Sequence, residues 1–387
     1  TGKDNQISIK DILIGDVWLC SGQSNMQWVV NNVTNAEVEK KNANYSQIRT
    51  LNIPRRMELS PKDTISTTWL VCSPETIGRF SGVAYFFARK VYEETNIPIG
   101  IINSSWGGTI VETWTSLEAA NTLPQKRLDR YNKNEKLSPP TEYFTRTNKE
   151  AKRNDYPSLV YNAMIHPLLS FAIKGVVWYQ GENNVGNAEP YTDWLTCMIS
   201  DWRNRWNSEL PFYIIQLPNF DSTNKTPLWA EIRDAQRKVL TVPKTHLIVT
   251  SDLGDPHDLH PRNKQEVGMR VALQVLHHEY GRPDIVSESP MFERMEINGD
   301  KIIITFKNTG SGLEIRSRYG CLQGFTIAGE DKKFYWAQGE LKDNRIVIWN
   351  PKVPNPIAVR YNWENNPDGN LYNKDGLPAC LFRTDNW

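Results

Sequence analysis

Near-continuous apolar runs, each followed by an amphipathic stretch, constrain the fold of this 387-residue chain more than any other feature of its sequence. Strands buried on both faces read as unbroken apolar runs, whereas a sheet with one wet face alternates apolar and polar residues. The pattern therefore predicts an α/β fold, in which helices cover both faces of a parallel sheet. We expect strands at residues 12–20, 48–53, 99–104, 173–180, 212–217 and 246–251, and helices at 80–95, 189–206, 228–240 and 264–278.

The chain becomes β-rich after residue 285. Asn298-Gly299 is a hairpin signal, because both residue types tolerate the positive φ angles of a tight turn. We therefore expect an α/β domain at residues 1–285 and a smaller, sandwich-like β domain at 286–387. Strands of this second domain are predicted at 301–306, 325–328, 345–349 and 357–361.

Composition excludes several classes of function. The formal net charge is +1, from 45 basic and 44 acidic residues, so no field attracts nucleic acid or an anionic membrane. No apolar run approaches the roughly 18 residues that span a bilayer. The five cysteines form no C-x-x-C pair, which disfavours a zinc or redox motif, and we expect neither a metal nor a cofactor. A disulfide between Cys20 and Cys72 and buried free thiols remain alternatives.

A serine follows the first predicted strand at a sharp turn. The strand ends in Ser21-Gly22-Gln23-Ser24, and a helical stretch begins directly after it. A strand that stops at glycine and turns into a helix holds a hydroxyl exposed at the edge of a sheet, where it can act as a nucleophile. Ser24 is therefore the candidate nucleophile, and helix capping is the alternative role for it.

Two further strand ends can supply hydrogen-bond donors to the same place. The segment Trp106-Gly107-Gly108-Thr109 offers the main-chain N–H of Gly108 or Gly107. The segment Trp178–Asn184 offers the side-chain amide of Gln180 or Asn183. Such N–H groups stabilise the oxyanion of an acyl-transfer intermediate. An ordinary β–α loop is the alternative for the first segment, and a glycine- and asparagine-rich turn is the alternative for the second. Glu182 beside them is expected to hold neighbouring loops rather than to transfer protons.

A cluster of histidines and carboxylates precedes the last helix of the α/β domain. Within it, His260 can act as general base for a serine nucleophile, with a carboxylate to orient it. A metal-dependent hydrolase is the competing hypothesis, because the same segment is rich in potential ligands. That hypothesis draws on Asp252, Asp255, His257, Asp258 and His260.

Together these blocks resemble the sialate O-acetylesterase group of carbohydrate esterases, within the SGNH/GDSL hydrolase superfamily. The resemblance covers nearly the whole chain and implies a flavodoxin-like, three-layer α/β/α hydrolase domain. It also implies a serine esterase that removes O-acetyl groups from carbohydrates through an acetyl-enzyme, with 9-O-acetylated sialic acid as the first candidate substrate. Acetylxylan or another acetylated glycan is the alternative. The motifs that carry the resemblance are residues 15–18, 21–26, 106–109, 178–182, 258–261, 356–361 and 376–379.

Carried over residue by residue, the resemblance implies Ser24 as nucleophile and His260 as general base. It assigns the oxyanion hole to the N–H groups of Ser24 and Gly108 and to the amide of Gln180. Because the broader superfamily uses an asparagine in that last role, Asn183 stays an alternative to Gln180.

The orienting carboxylate departs from the superfamily pattern. The position three residues before the base is usually an acid, and here it is His257. We choose Asp258 as the catalytic carboxylate, with Asp255, or a backbone carbonyl in place of any carboxylate, as alternatives.

Other expectations concern the setting of the chain. A carbohydrate-binding protein without catalysis is the alternative from another functional class. The resemblance favours a periplasmic or secreted protein that acts on glycans and does not insert into a membrane. It does not determine the oligomeric state. Relatives often carry a β domain ahead of the serine block, and this chain begins too late to include a complete one, so we expect a trimmed or shorter architecture.

Overall fold

A computed structural model describes residues 8–139, 155–221 and 226–387 of the chain. Within these residues, seven strands form one sheet. They are β1 (Asp16–Gly22), β2 (Tyr45–Asn52), β3 (Trp69–Cys72), β4 (Ile99–Ser105), β5 (Gly175–Tyr179), β6 (Phe212–Ile215) and β7 (Thr245–Ile248).

The sheet order is β3-β2-β4-β1-β5-β6-β7, and every neighbouring pair is parallel except β2 with β3. Every residue of β5 and β6 is buried, so both faces of the sheet are covered there. β1 lies at the centre, and the chain builds one side of the sheet before it crosses to β5. Open α/β sheets bind their ligands at such a switch point, beyond the carboxyl ends of the strands.

Helices pack against this sheet. Those described are α1 (Ser24–Gln27), α2 (Ala36–Asn42), α3 (Gly82–Thr95), α4 (Leu117–Ala120), α5 (Gln125–Leu128), α6 (Ala188–Trp206), α7 (Leu228–Lys238) and α8 (Lys264–Glu279), with short 3₁₀ turns and a π-helical segment (Tyr161–Ile165) between them.

Among the described helices, α3 and α8, which are distant in sequence, form the most extensive contact. Ser81 caps α3, since its hydroxyl accepts the N–H of Ala84 at 3.3 Å. Gly268 allows the two helices to approach closely, because a Cβ there would lie 2.7 Å from the carbonyl oxygen of Val83. This packing fixes the start of α8 beside the carboxyl edge of the sheet.

The remaining residues form a β-rich region with its own apolar core. Its strands are β8 (Met291–Asn298), β9 (Lys301–Lys307), β10 (Leu313–Ile315), β11 (Phe325–Ala328), β12 (Tyr335–Trp336), β13 (Gln338–Lys342), β14 (Arg345–Trp349), β15 (Ala358–Tyr361), β16 (Leu371–Asn373) and β17 (Phe382–Arg383). All their pairings are antiparallel. The predicted hairpin joins β8 to β9 at Gly299, whose φ is +61°. The predicted boundary at residue 285 stays a prediction.

The α/β class and the β-rich C-terminal region are confirmed, and the differences are local. β1 begins at Asp16 rather than at residue 12, and Ile12 and Ile14 before it are exposed. β3 was not predicted, because a four-residue edge strand leaves little pattern. Cys20 and Cys72 are buried free thiols, not a disulfide. In the described segments of the chain, no helix is long and apolar enough to cross a membrane.

Candidate active site

Three strand ends lie level at the carboxyl edge of the sheet. Gly22, the last residue of β1, stands opposite Ser105 of β4 and Tyr179 of β5. The loops that follow these strands therefore begin side by side. They carry the candidate nucleophile Ser24 and the two predicted groups of oxyanion donors.

The turn that presents Ser24 depends on glycine. Gly22 has a φ of +135°, and a Cβ there would lie 2.1 Å from the carbonyl oxygen of Tyr179. Gln23 then leaves the extended conformation, and α1 begins at Ser24. As the first residue of a helix, Ser24 has a main-chain N–H with no acceptor inside that helix. The serine is partly exposed, so a ligand can reach it from solvent.

Two glutamines of the serine segment hold the neighbouring loops. The side-chain oxygen of buried Gln23 accepts the N–H groups of Gly181 at 3.2 Å and Asn183 at 3.4 Å. Gln27 accepts the N–H of Gly107 at 2.8 Å. Because that N–H is engaged, Gly107 is no longer a candidate oxyanion donor, whereas Gly108 remains one.

The loop after β4 passes directly over the serine. A Cβ on Gly107 would lie 3.1 Å from the Cβ of Ser24. Gly108 is exposed and takes a φ of +78°, and its carbonyl oxygen accepts a hydrogen bond from the side-chain amide of Asn183. The Gly108 main chain, the Asn183 amide and Ser24 therefore border one space.

The geometry of Gln180 opposes its predicted role in the oxyanion hole. The side chain is fully buried, and its Nε2 donates to the carbonyl oxygen of Thr109 at 3.0 Å and to Oδ1 of Asn184 at 2.7 Å. Its Oε1 accepts the hydroxyl of Tyr191 at 3.1 Å. Both amide hydrogens are thus used within the protein. Asn183, the alternative, is exposed at the site.

Two contacts join the segments of the nucleophile and the base. The His260 ring stacks on Trp28, four residues after Ser24, with centroids 4.9 Å apart and planes at 9°. The side-chain amide of Asn25 donates to the carbonyl oxygen of Leu259 at 3.1 Å. Residues that follow the serine are therefore in direct contact with the base and with the residue before it.

The environment of His260 favours its neutral form. Its Nε2 is buried and has no hydrogen-bond partner among the described residues. Burial, and next the positive charge of Lys264, lower the pKa of His260 below its usual 6.5, while Asp258 acts in the opposite direction. A neutral imidazole with an unpaired ring nitrogen is the form that a general base requires.

Asp258 contacts the main chain of the base. Among the described residues, the hydrogen bond that it makes to His260 runs from the main-chain N–H to Oδ1, at 2.8 Å. Asp255 does the same earlier in the loop, since it accepts the N–H of His257 at 2.8 Å. Both carboxylates shape the loop. The catalytic role predicted for Asp258 stays a prediction, with a Coulombic effect on His260 in its support.

The residues of the alternative metal site do not converge. Asp252 forms a two-pronged ion pair with Arg270, with both N–O distances at 2.7 Å. Among the described residues, the three that bring potential ligand atoms within 4.8 Å of one another are His246, His278 and Glu288, none of which belongs to the predicted metal site. The imidazoles of His246 and His278 stack at the amino end of β7.

Three residues of the site were not predicted. Of the three, Trp28 is the residue whose role the sequence indicates most clearly, because it is an aromatic residue one helical turn after the serine. Most indoles, however, simply pack in protein cores. Asn25 lies inside the serine motif. Lys264, fully buried at the start of α8, gives no signal, because a lysine in the first turn of a helix is usually exposed.

Comparisons with known proteins identify the family of the chain. Residues 14–277 match the family described as carbohydrate esterase, sialic acid-specific acetylesterase. The sialate O-acetylesterase of Pongo abelii is 33% identical over 327 residues, which are 76% of this chain and 59% of that protein. The Mus musculus sialate O-acetylesterase is 29% identical over 407 residues, 93% of this chain and 74% of that protein. The chain thus spans about three fifths of the length of the Pongo abelii relative.

Similarity extends to a solved structure. A carbohydrate acetylesterase from Xanthomonas citri superposes with a TM-score of 0.89 at 37% sequence identity. The alignment covers 100% of this chain and 84% of that protein. Both the α/β sheet and the β-rich region therefore recur in that structure.

Proposed function

The chain belongs to the sialic acid-specific acetylesterase family of carbohydrate esterases, and on that premise we propose that it removes O-acetyl groups from carbohydrates with Ser24 as nucleophile and His260 as general base. The stack of His260 on Trp28 carries this proposal, because it joins the base to the serine segment across 232 positions of sequence. The lowered pKa of the His260 imidazole, which favours its neutral form, supports the proposal further.

The reaction runs in two halves. The Ser24 hydroxyl attacks the acetyl carbonyl carbon while Nε2 of His260 takes its proton. The carbon–oxygen bond to the sugar then breaks, and the imidazolium returns the proton to the departing sugar oxygen. Water, deprotonated by the same imidazole, hydrolyses the acetyl-serine and releases acetate.

We assign the oxyanion hole to the N–H groups of Ser24 and Gly108 and to the side-chain amide of Asn183. Asn183 uses one amide hydrogen on the Gly108 carbonyl oxygen, and its second hydrogen, which has no acceptor among the residues that the structure describes, can point at the substrate. Gln180, whose two amide hydrogens are engaged, acts as a support beneath the loop.

For the substrate we propose 9-O-acetylated sialic acid, with acetylxylan as the competing candidate. A sialate carries a carboxylate, for which an arginine is the natural partner. Arg262 is exposed and lies two residues after His260, whereas Arg55 and Arg56 follow β2, two strands away from β1 in the sheet. Arg262→Ala should therefore raise KM for the acetylated sialate and leave KM for acetylated xylo-oligosaccharides unchanged.

The test is acetate release from 9-O-acetylsialic acid and from acetylated xylo-oligosaccharides, measured side by side. We expect turnover in the wild-type protein and its loss in Ser24→Ala and His260→Ala. Turnover of the xylo-oligosaccharide alone would move the assignment to acetylxylan. Binding without any acetate release would favour the carbohydrate-binding alternative, and activity that survives Ser24→Ala but not a chelator would favour the metal-dependent one.

A further inference from the structure

One side-chain amide joins the three segments that carry the proposed catalytic groups. Asn25 is fully buried, and its Nδ2 donates to Oε1 of Glu182 at 2.5 Å and to the carbonyl oxygen of Leu259 at 3.1 Å. Its Oδ1 accepts a hydrogen bond from Nζ of Lys264. Both amide hydrogens and the amide oxygen are thus engaged, by residues of the loop after β5, of the loop before α8 and of α8 itself.

Each segment adjoins one proposed catalytic residue. Asn25 follows the nucleophile Ser24, Leu259 precedes the base His260, and Glu182 precedes the oxyanion donor Asn183. A shift of this amide would therefore change the relative positions of all three groups. Misplacement by about 1 Å can cost an enzyme as much as 10²-fold in rate.

Of the residues that hydrogen-bond to Asn25, Lys264 carries the charge whose burial is energetically unfavourable. It is 0% exposed, and its ammonium lies 5.6 Å from the centre of the Tyr179 ring. A buried ammonium is strongly destabilising unless it is hydrogen-bonded and paired with an opposite charge. Its hydrogen bond goes to Asn25, and its counter-ion is Glu182 on the other side of that amide. A leucine or methionine would fill the same space without this penalty.

We propose that Lys264 is a positioning residue, which holds Ser24, His260 and Asn183 in register through Asn25 and keeps the base neutral through its charge. This inference rests on the esterase function proposed above. It assigns a role to a buried charge that lies outside the reacting groups.

Besides burial, the positive charge of Lys264 lowers the pKa of His260. Burial lowers the pKa of Lys264 to about 7, against the opposing effect of Glu182 and Asp258. The ammonium is therefore charged in the acidic range in which His260 titrates, and there it disfavours a second positive charge. The charged groups that face this pair are Lys264 from α8, Asp258 from the loop before it and Glu182 from the loop after β5. Trp28 contributes an uncharged ring on the other side.

Two variants separate charge from positioning. Lys264→Met removes both the charge and the hydrogen bond to Asn25, whereas Lys264→Gln removes the charge and retains an N–H donor. Both should move the acid limb of kcat/KM to higher pH, by about one pH unit. Lys264→Met should also lower kcat on the alkaline plateau by at least about tenfold with KM within about twofold. Lys264→Gln should keep more of that plateau kcat than Lys264→Met.

Lys174→Met is the matched control. It removes a positive charge at the opposite edge of the sheet, where Lys174 pairs with Asp16 at 3.4 Å. The acid limb should not move in this variant. An unmoved acid limb in both folded Lys264 variants, or an equal shift in Lys174→Met, would overturn the inference.

A titration separates this inference from the esterase proposal. NMR of the imidazole resonances in Ser24→Ala, with His260→Asn to assign the peak among six histidines, follows His260 without any turnover. We expect the His260 titration to move to higher pH when Lys264→Gln is added. If that shift appears but wild-type protein releases no acetate, only the proposed function fails. If acetate is released and the shift is absent, only the role of Lys264 fails.

Discussion

Replacing Asn183 by alanine tests the oxyanion hole at the residue for which sequence and geometry disagree. The exposed Asn183 amide is proposed to supply one donor to the developing oxyanion, and it makes one hydrogen bond to Gly108 within the protein. Removal of one such donor costs about 2.7–4 kcal/mol of transition-state stabilisation, or roughly 10²–10³-fold in kcat. Folding should change little, because an exposed side chain with one such contact contributes about 1 kcal/mol.

Gln180→Ala is the informative counterpart. It removes the partner of Thr109, Asn184 and Tyr191 in a fully buried place. Each buried group left unpaired costs about 1–3 kcal/mol, so this variant should lose roughly 3 kcal/mol or more of unfolding free energy. We therefore expect Gln180→Ala to lower the midpoint of thermal unfolding, and any loss of turnover to follow from this loss of stability.

The assay is kcat for acetate release at saturating substrate, with urea unfolding of the same samples. Asn183→Asp adds a second comparison, since a carboxylate keeps the shape but repels an oxyanion. Full kcat in Asn183→Ala together with a 10²-fold loss in stably folded Gln180→Ala would refute this reasoning and return the role to Gln180.

Three further predictions concern the base and the serine turn. Trp28→Ala should lower kcat by roughly 2- to 12-fold, because stacking contributes about 0.5–1.5 kcal/mol, and Trp28→Phe should restore most of it; equal loss in both variants would argue against stacking. The acid limb of kcat/KM should lie below pH 6.5, because burial lowers the pKa of His260 and only the neutral ring accepts a proton; a profile between about pH 4 and 8 with its limb above 6.5 would contradict this. Gly22→Ala should destabilise the protein by roughly 2–5 kcal/mol in urea unfolding, since its Cβ would collide with the Tyr179 carbonyl oxygen, and unchanged stability would mean that the turn relaxes.

Sequence alone could predict the sheet and the meeting of its strand ends. The apolar runs marked six of the seven strands, and parallel pairing then brings Gly22 level with the ends of β4 and β5. Local signals sufficed here, because each strand and its turn are encoded within about ten residues. The hairpin at Gly299 was predictable for the same reason.

Side-chain direction and long-range contacts could not be predicted. Gln180 and Asn183 flank Gly181, whose φ of +155° redirects the chain, and sequence does not reveal which amide turns inward. The hydrogen bond between Lys264 and Asn25 spans 239 positions, and no local pattern marks a lysine as buried. The contacts that join the segments of the site therefore required a structure.

The central claim is that Ser24 and His260 act as one unit. Labelling of a serine by a fluorophosphonate requires an activated hydroxyl, so labelling followed by peptide mass spectrometry measures that activation directly. We predict rapid labelling at Ser24 in the wild-type protein and a loss of at least about 10²-fold in labelling rate in folded His260→Ala. Equal rates in the two proteins, or a label on another residue, would contradict the claim.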